Sequence, residues 1–488
     1  MGLAPQEILA QQEFTWIGPY GNWEDAANWD PSDQGPPSGD VTVIITGGEV
    51  SISGDKTVKN LELHGGLIIG DHDVAVTEQL TWNGGGFWGS GTTTIQKNAS
   101  IGGDGKSLSR GRIVENLGTL TWAGGTIHTG WATIYNRPGA EFKVLGAAGL
   151  TNGLYEILRF YNQGTFVVDG LGNAVFGGDA FGSEGFGFFN SGTVDIRSGA
   201  LRLWDSGTTA GESSGLFQIG TSGELELKNS PNTFTTSSRI LNGGIVRVTG
   251  GSHRFEGTYT SIDENSKVRV EGGIADFAMD TLRTPVLTVS GGTLAGSAVV
   301  VAEVLRWSGG AMSGTGTTIL GPVTSDPLVV GSIVESAGKG LLNGRTLINR
   351  GDLVWSGGDI TVYSGSGTFI NEAGAEFLIS SPGGNFNHSL FESLIIQNYG
   401  RIVRDSTGVV VFGSDAWPGP RGIFNNAGEV VIQKGTLAIH SFGDVASRAS
   451  GLFDVKEAGT LEFRAGSYAI DEGASLVNNG SVVATGGR

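Results

Sequence analysis

The chain is predicted to be an all-β protein, a right-handed parallel β-helix (β-solenoid) with an internal tandem duplication and an N-terminal aromatic cap. Three observations carry the prediction. The sequence repeats itself: Gly164, Gly192, Gly199, Gly223 and Gly250 return as Gly400, Gly428, Gly435, Gly459 and Gly486, at a constant offset of 236. Whole phrases return with them. PGAEF (138–142) recurs as AGAEF (373–377), VFGGDAF (175–181) as VFGSDAW (411–417), and LTWNGG (80–85) as LRWSGG (305–310). Within each copy, short runs of alternating polarity such as VTVII, VSIS, TFVV, TVDI, LRLW, LELK and VRV are bounded by Gly, Asn, Ser or Asp, the pattern of half-buried strands joined by turns. No segment carries a 3.6-residue apolar period with helix caps.

The coil length follows from asparagine. Asn116, Asn136, Asn162 and Asn190 lie 20, 26 and 28 residues apart, and Asn349, Asn371, Asn398 and Asn426 lie 22, 27 and 28 apart. Coils of this size with three strands of three to five residues each fit a parallel β-helix. On the order of 20 such coils fill the chain, ~4.8 Å apart. Each asparagine precedes a glycine turn, as in Asn162 with Gly164, Asn190 with Gly192, Asn398 with Gly400 and Asn426 with Gly428. Asparagine tolerates the left-handed conformation and bonds local backbone, glycine adopts positive φ freely, and stacked asparagines can form a hydrogen-bonded ladder. These residues are read as structural turns.

In chain order, residues 1–13 form a tail. Residues 14–60 form a cap with the first strands, and Trp16, Trp23 and Trp29 supply apolar area to cover the end of a solenoid core. Residues 61–251 are the first copy, 252–286 connecting coils that still contain VRV, and 287–488 the second copy. One continuous solenoid is expected. NNGSVVATGGR (478–488) matches LNGGIVRVTGG (241–251) with no capping sequence after it. Either the sequence is cut there or another chain covers that end, and head-to-tail stacking of copies is one way to do so.

Composition narrows the partners. Glycine is 85 of 488 residues, more than twice the usual ~7%, with no three-residue period to suggest collagen. The net charge is −18 and lysine and arginine total 30 without a cluster, so nucleic acid is not expected as a partner. There is no cysteine, which removes disulfides and thiolate metal sites. No run of about 18 apolar residues suggests a membrane helix.

The phrases LTVSGGTLAGS (287–297), LRWSGGAMSGTGTTI (305–319) and NLGTLTWAGGTI (116–127), with the WxGxxGxW…NW…P opening (16–36), resemble bacterial surface β-helices, the autotransporter passenger and filamentous-haemagglutinin-like adhesins. The resemblance covers nearly the whole chain. It implies a secreted or cell-surface protein with a right-handed helix, acting as a structural or adhesive rod, with itself or surface glycans as partners. It places no catalytic residue.

The residues themselves offer few chemical candidates. No GxSxG, HExxH or P-loop occurs, and no cofactor is expected. Asp71-His72-Asp73 is the tightest polar cluster, read as a solvated turn more readily than a metal site. Asp179 and Asp415 recur in VFG(G/S)DA, either as turn caps or as paired ligand sites. Trp204 with Asp205, and Trp417 near Asp415, set flat rings beside carboxylates, which suits sugar rings. Trp82, Trp122, Trp307 and Trp355 recur in xW-x-GG phrases and are read as packing residues. The alternative to a rod is a carbohydrate-binding or carbohydrate-active β-helix; a lyase would need a basic group beside the substrate carboxylate, and the two copies share no basic triad.

Overall fold

A computed structural model describes residues 12–153, 156–177, 185–205, 211–229, 231–323, 329–334, 338–414, 421–440 and 447–487. Two compact units divide the chain, Met1–Thr233 with Ser237–Arg239 and Phe234–Thr236 with Ile240–Arg488. Both are parallel β-solenoids, about 18 turns in all. Among the described residues there is no α-helix, only the single 3-10 turns Ala26–Asn28 and Ser32–Gln34, so no helix is long and apolar enough to cross a membrane.

A rung of the first unit shows why the pattern folds this way. Strands Lys106–Ser109, Ile113–Asn116 and Thr119–Trp122 pair in parallel with Gly125–Gly130, Ala132–Asn136 and Glu141–Val144, placing Lys106 on Ile127, Ile113 on Thr133 and Thr119 on Glu141. Alternation sends Ile134 and Asn136 inward and leaves Thr133 and Tyr135 half-buried. The second unit repeats the scheme, with Arg345 on Gly367, Asp352 on Glu376 and Ile360 on Phe386. Where the sequence predicts strands of three to five residues, many are longer, up to Leu452–Gly466. Register shifts such as that between Ile432 and Lys434 let the strand bend around a corner without breaking its pairing.

Inward residues form columns along the rungs. Trp82, Ile101, Trp122, Val144, Val168 and Ile196 stack in one column of the first unit. Trp307, Ile333, Trp355, Ile379, Arg404 and Ile432 form one in the second. All twelve side chains are buried. The xW-x-GG phrase has a polar reason as well as an apolar one. The indole N–H of Trp122 donates to the Gly124 carbonyl at 2.8 Å, and that of Trp355 to the Gly357 and Gly358 carbonyls at 3.0 Å. In these two phrases the turn after the tryptophan satisfies its buried donor; the buried Trp307 indole N–H has no such acceptor.

At the N-terminal end the strand Gln12–Trp16 pairs antiparallel with Trp29–Asp30 and parallel with Gly39–Ser51. Trp29 packs edge-on against Trp16 at 5.1 Å and Trp23 at 4.8 Å. Two of the three indoles turn their N–H to backbone: Trp23 donates to the Pro37 carbonyl and Trp29 to the Trp23 carbonyl.

Among the described residues five cations are fully buried: Lys106, Arg112, Lys339, Arg345 and Arg404. Arg112 donates to Thr93 Oγ1 at 3.0 Å and to the Gly70 and His72 carbonyls. Arg345 uses Thr318 Oγ1 at 3.1 Å and the Gly296 carbonyl. Burial holds Arg112 down to about 10, opposed by Asp73 and Asp71, and burial alone holds Arg345 down to about 10. At neutral pH both are charged, and turn carbonyls carry their solvation. The sequence analysis named none of these buried cations; the Gly-Arg pairs at 111–112 and 344–345 are the shared local feature of two of them.

Candidate functional site

The asparagines form two internal columns. Asn116 Nδ2 donates to Asn136 Oδ1 at 2.9 Å, Asn136 to Asn162 at 2.8 Å and Asn162 to Asn190 at 2.8 Å. Asn349, Asn371, Asn398 and Asn426 repeat this with three bonds of 2.8 Å. Each amide also donates to a carbonyl of the next rung, as Asn162 does to Thr193 at 2.9 Å. The turn mechanism read from the sequence needs correction. None of these asparagines has positive φ, and neither have Gly164, Gly192, Gly400 or Gly428. Glycine is required there by close approach: a Cβ on Gly164 would lie 2.3 Å from the Ala140 carbonyl oxygen, and one on Gly192 2.1 Å from that of Gly164. The asparagine backbone stays extended because its side chain bonds the neighbouring rung, and tight stacking leaves no room for a Cβ in the turn.

Of the sequence-predicted ligand residues, Asp179, Asp415 and Trp417 lie outside the described residues. Asp205 ends the strand Thr193–Asp205. Trp204, next to it, is half-buried. The Arg202 guanidinium stands over its ring at 5.4 Å and the Lys228 ammonium at 4.6 Å. Its flat surface therefore already engages two cations. In the Asp71–Asp73 cluster, Asp71 Oδ1 accepts from Ser90 N at 2.9 Å and Asp73 Oδ1 from Thr92 N at 2.7 Å. Backbone bonding holds the Asp71 carboxyl below its ordinary value. These aspartates tie one rung to the next. Among the described residues no group of three His, Asp or Glu is arranged to hold a metal ion.

Two outer features reflect stacking of rungs. Tyr135, Tyr161 and Phe189 stack at 4.9 and 4.7 Å, with the Arg137 guanidinium 4.1 Å over Tyr135. Ring faces occupied by one another are poor sugar platforms, so this column is a packing device. In the second unit, Arg401 bonds Glu376 at 2.5 Å and Glu429 at 3.1 Å along a groove also lined by Asp352 and Tyr399. It is a surface ion ladder, of small energetic worth.

A groove of about 250 Å³ in the first unit has different chemistry. It crosses the strands Gly85–Trp88, Lys106–Ser109, Gly125–Gly130 and Ala148–Asn152, whose register aligns Trp88 with Ser109 and Gly130, and Ser107 with His128 and Thr151. Trp88 Nε1 donates to Ser107 Oγ at 2.9 Å, and the Arg110 guanidinium lies 4.9 Å over its ring. His128 Nδ1 and Thr151 Oγ1 are 3.1 Å apart. Glu156 closes one wall, with Oε2 accepting from Gly153 N at 2.9 Å. Sequence reading named none of these residues as ligand contacts. Their only local signal was a tryptophan outside the xW-x-GG phrase.

Comparison of the chain with protein-family models, curated proteins and solved structures finds no match.

Proposed function

We propose that the chain is an extracellular structural or adhesive β-solenoid of a bacterium, right-handed and arisen by tandem duplication. The observation that supports this reading best is the pair of buried asparagine columns. Within each column the first three amides are fixed to the next rung by two hydrogen bonds and the last by one, so outer side chains are held at constant spacing along the stack. A surface of this kind suits adhesion by many weak contacts at once. Head-to-tail association of copies extends the same surface and belongs to the proposal.

The test is display of the chain on a non-adherent bacterium, followed by retention under flow on cell-coated surfaces. Increased retention is expected. Retention equal to that of the undecorated strain, with antibody confirming display, would remove the adhesive role. Sedimentation over a concentration series examines self-association: a single species at all concentrations would remove the head-to-tail element. A carbohydrate-binding role is a second reading, favoured by the Trp88 groove.

A further inference from the structure

We propose that one outer sheet face of the second unit docks, antiparallel, on the same face of a second copy of the chain. The proposal goes beyond the adhesive reading and does not rest on it. The face is formed where the strands Lys267–Phe277, Thr281–Val289, Val299–Trp307, Val330–Ile333 and Asp352–Trp355 stack in parallel. One outward column on five successive rungs reads Lys267, Val286, Val304, Val330 and Asp352. The inward neighbours Val268, Leu287, Leu305 and Leu353 are buried, whereas the three outward valines are half-buried and Asp352 is exposed.

A cation, three valines and an acid make a self-complementary pattern. A two-fold axis lying in the interface along the Val304 strand reverses the rung order. Lys267 of each copy then faces Asp352 of the other, Val286 faces Val330, and Val304 faces itself, which is the isologous arrangement of a closed dimer. Within one chain the two charges cannot meet, because four rungs of ~4.8 Å hold them ~19 Å apart. Among the described residues neither side chain has an ion-pair or hydrogen-bond partner. Charges on adjacent rungs of this unit do pair, as Arg401 does with Glu376 and Glu429.

The flanking rungs keep the same polarity. Arg247 and Arg269, which share Glu271, lie on the Lys267 side, and Glu376 follows Asp352. Parallel docking would set Lys267 on Lys267 and Asp352 on Asp352, so the charges select the antiparallel orientation. Five rungs of ~4.8 Å and four residues of ~3.3 Å give a face of about 300 Å². A standard interface buries about 800 Å² per partner, so the dimer is weak. Arg306 shares the Val304 strand and meets its own copy near the axis, which opposes docking.

The experiment is sedimentation equilibrium of the full chain from about 10 μM to 1 mM, the range of a weak dimer. A monomer–dimer equilibrium is expected. Lys267→Glu and Asp352→Lys, each made alone, set like charges together twice per dimer and should weaken it about tenfold or more, equivalent to about 1.4 kcal/mol. The two changes in one chain, or an equimolar mixture of the two single variants, should restore it. Both sites are on the surface, so Tm should not change. The chain has no cysteine, so Val304→Cys provides a single thiol near the axis. A short bismaleimide should link two copies of it, and Lys267→Glu in the same chain should prevent the link. Arg306→Ala should tighten the dimer. A monomer at every concentration overturns the proposal, as do single variants that associate like the parent, a double exchange that fails to restore the dimer, an unlinked Val304→Cys variant, or a weaker dimer from Arg306→Ala. Open-ended growth untouched by these exchanges belongs to head-to-tail stacking and also overturns the lateral contact. Loss of the dimer with retained adhesion under flow removes this interface and keeps the adhesive reading; a dimer without adhesion does the reverse.

Discussion

The fifth member of the tryptophan column is Val168 in the first unit and Arg404 in the second. Both are inward and buried, and both sit between aliphatic neighbours. The valine needs only van der Waals contact. The guanidinium donates to the Ile379 and Ser381 carbonyls at 3.2 and 2.7 Å and to those of Thr407 and Gly408 at 3.0 and 3.2 Å. Burial lowers its pKa, opposed by Asp405. The difference teaches that a solenoid interior accepts a charge without a carboxylate partner when a turn aims enough carbonyls at it. The side chain alone does not decide what a core position tolerates; the adjoining turn does.

The comparison can be broken by exchange. Val168→Arg places a charge where that carbonyl nest is not built, and a loss above about 4 kcal/mol, or failure to fold, is expected. Arg404→Ala leaves five carbonyls, that of Thr436 included, without their donor and a cavity beside them, for a loss of about 3 kcal/mol. Solenoid contacts are local, so hydrogen exchange across residues 376–440 reads the second effect directly. If Val168→Arg proves as stable as the parent, the turn is not what permits the charge.

A buried base extends the comparison to pH. His253 in the second unit is fully buried, and burial lowers its pKa to about 4, opposed by its hydrogen bond to the Gly250 carbonyl. Unfolded, it titrates near 6.5. Stability from keeping it neutral is full above pH 6.5 and declines as pH falls towards 4, by about 3 kcal/mol in all. Melting between pH 7 and 4.5 should show this decline, and His253→Gln should flatten it. An unaltered pH profile in that variant would place the acid sensitivity elsewhere.

The smallest expected effect compares the two asparagine columns. Asn162→Ala and Asn398→Ala each remove one buried amide from the middle of a ladder, and each should cost about 2 kcal/mol. Equal losses by local hydrogen exchange would mark the ladders as equivalent; a loss in one unit alone would show that only that ladder is structural. Gly164→Val sharpens the turn argument, since overlap with the Ala140 carbonyl should destabilise that rung more than Asn162→Ala does.

Much of this architecture is legible along the chain, because the repeating unit is short. Alternation set the faces of the strands, the asparagine intervals gave the rung length, and the xW-x-GG phrase marked inward tryptophans. The mechanism at the turns was less legible: glycine's role at Gly164 and Gly192 depends on the carbonyl of a residue more than twenty positions earlier. The candidate groove was hidden for the same reason. Trp88, Ser109 and Gly130 become neighbours only through stacking; they are evenly spaced, but the asparagine intervals vary from rung to rung and single out no one spacing with which to align them.

The sequence by itself determined that this protein is a parallel stack of short strands with an aromatic cluster at one end, since those features depend on local period and turn residues. Only the tertiary structure decided where charges are buried, which glycines are needed for close approach, and which outer side chains meet. Each of these depends on the rung above or below, where a shift of one residue turns an inward side chain outward.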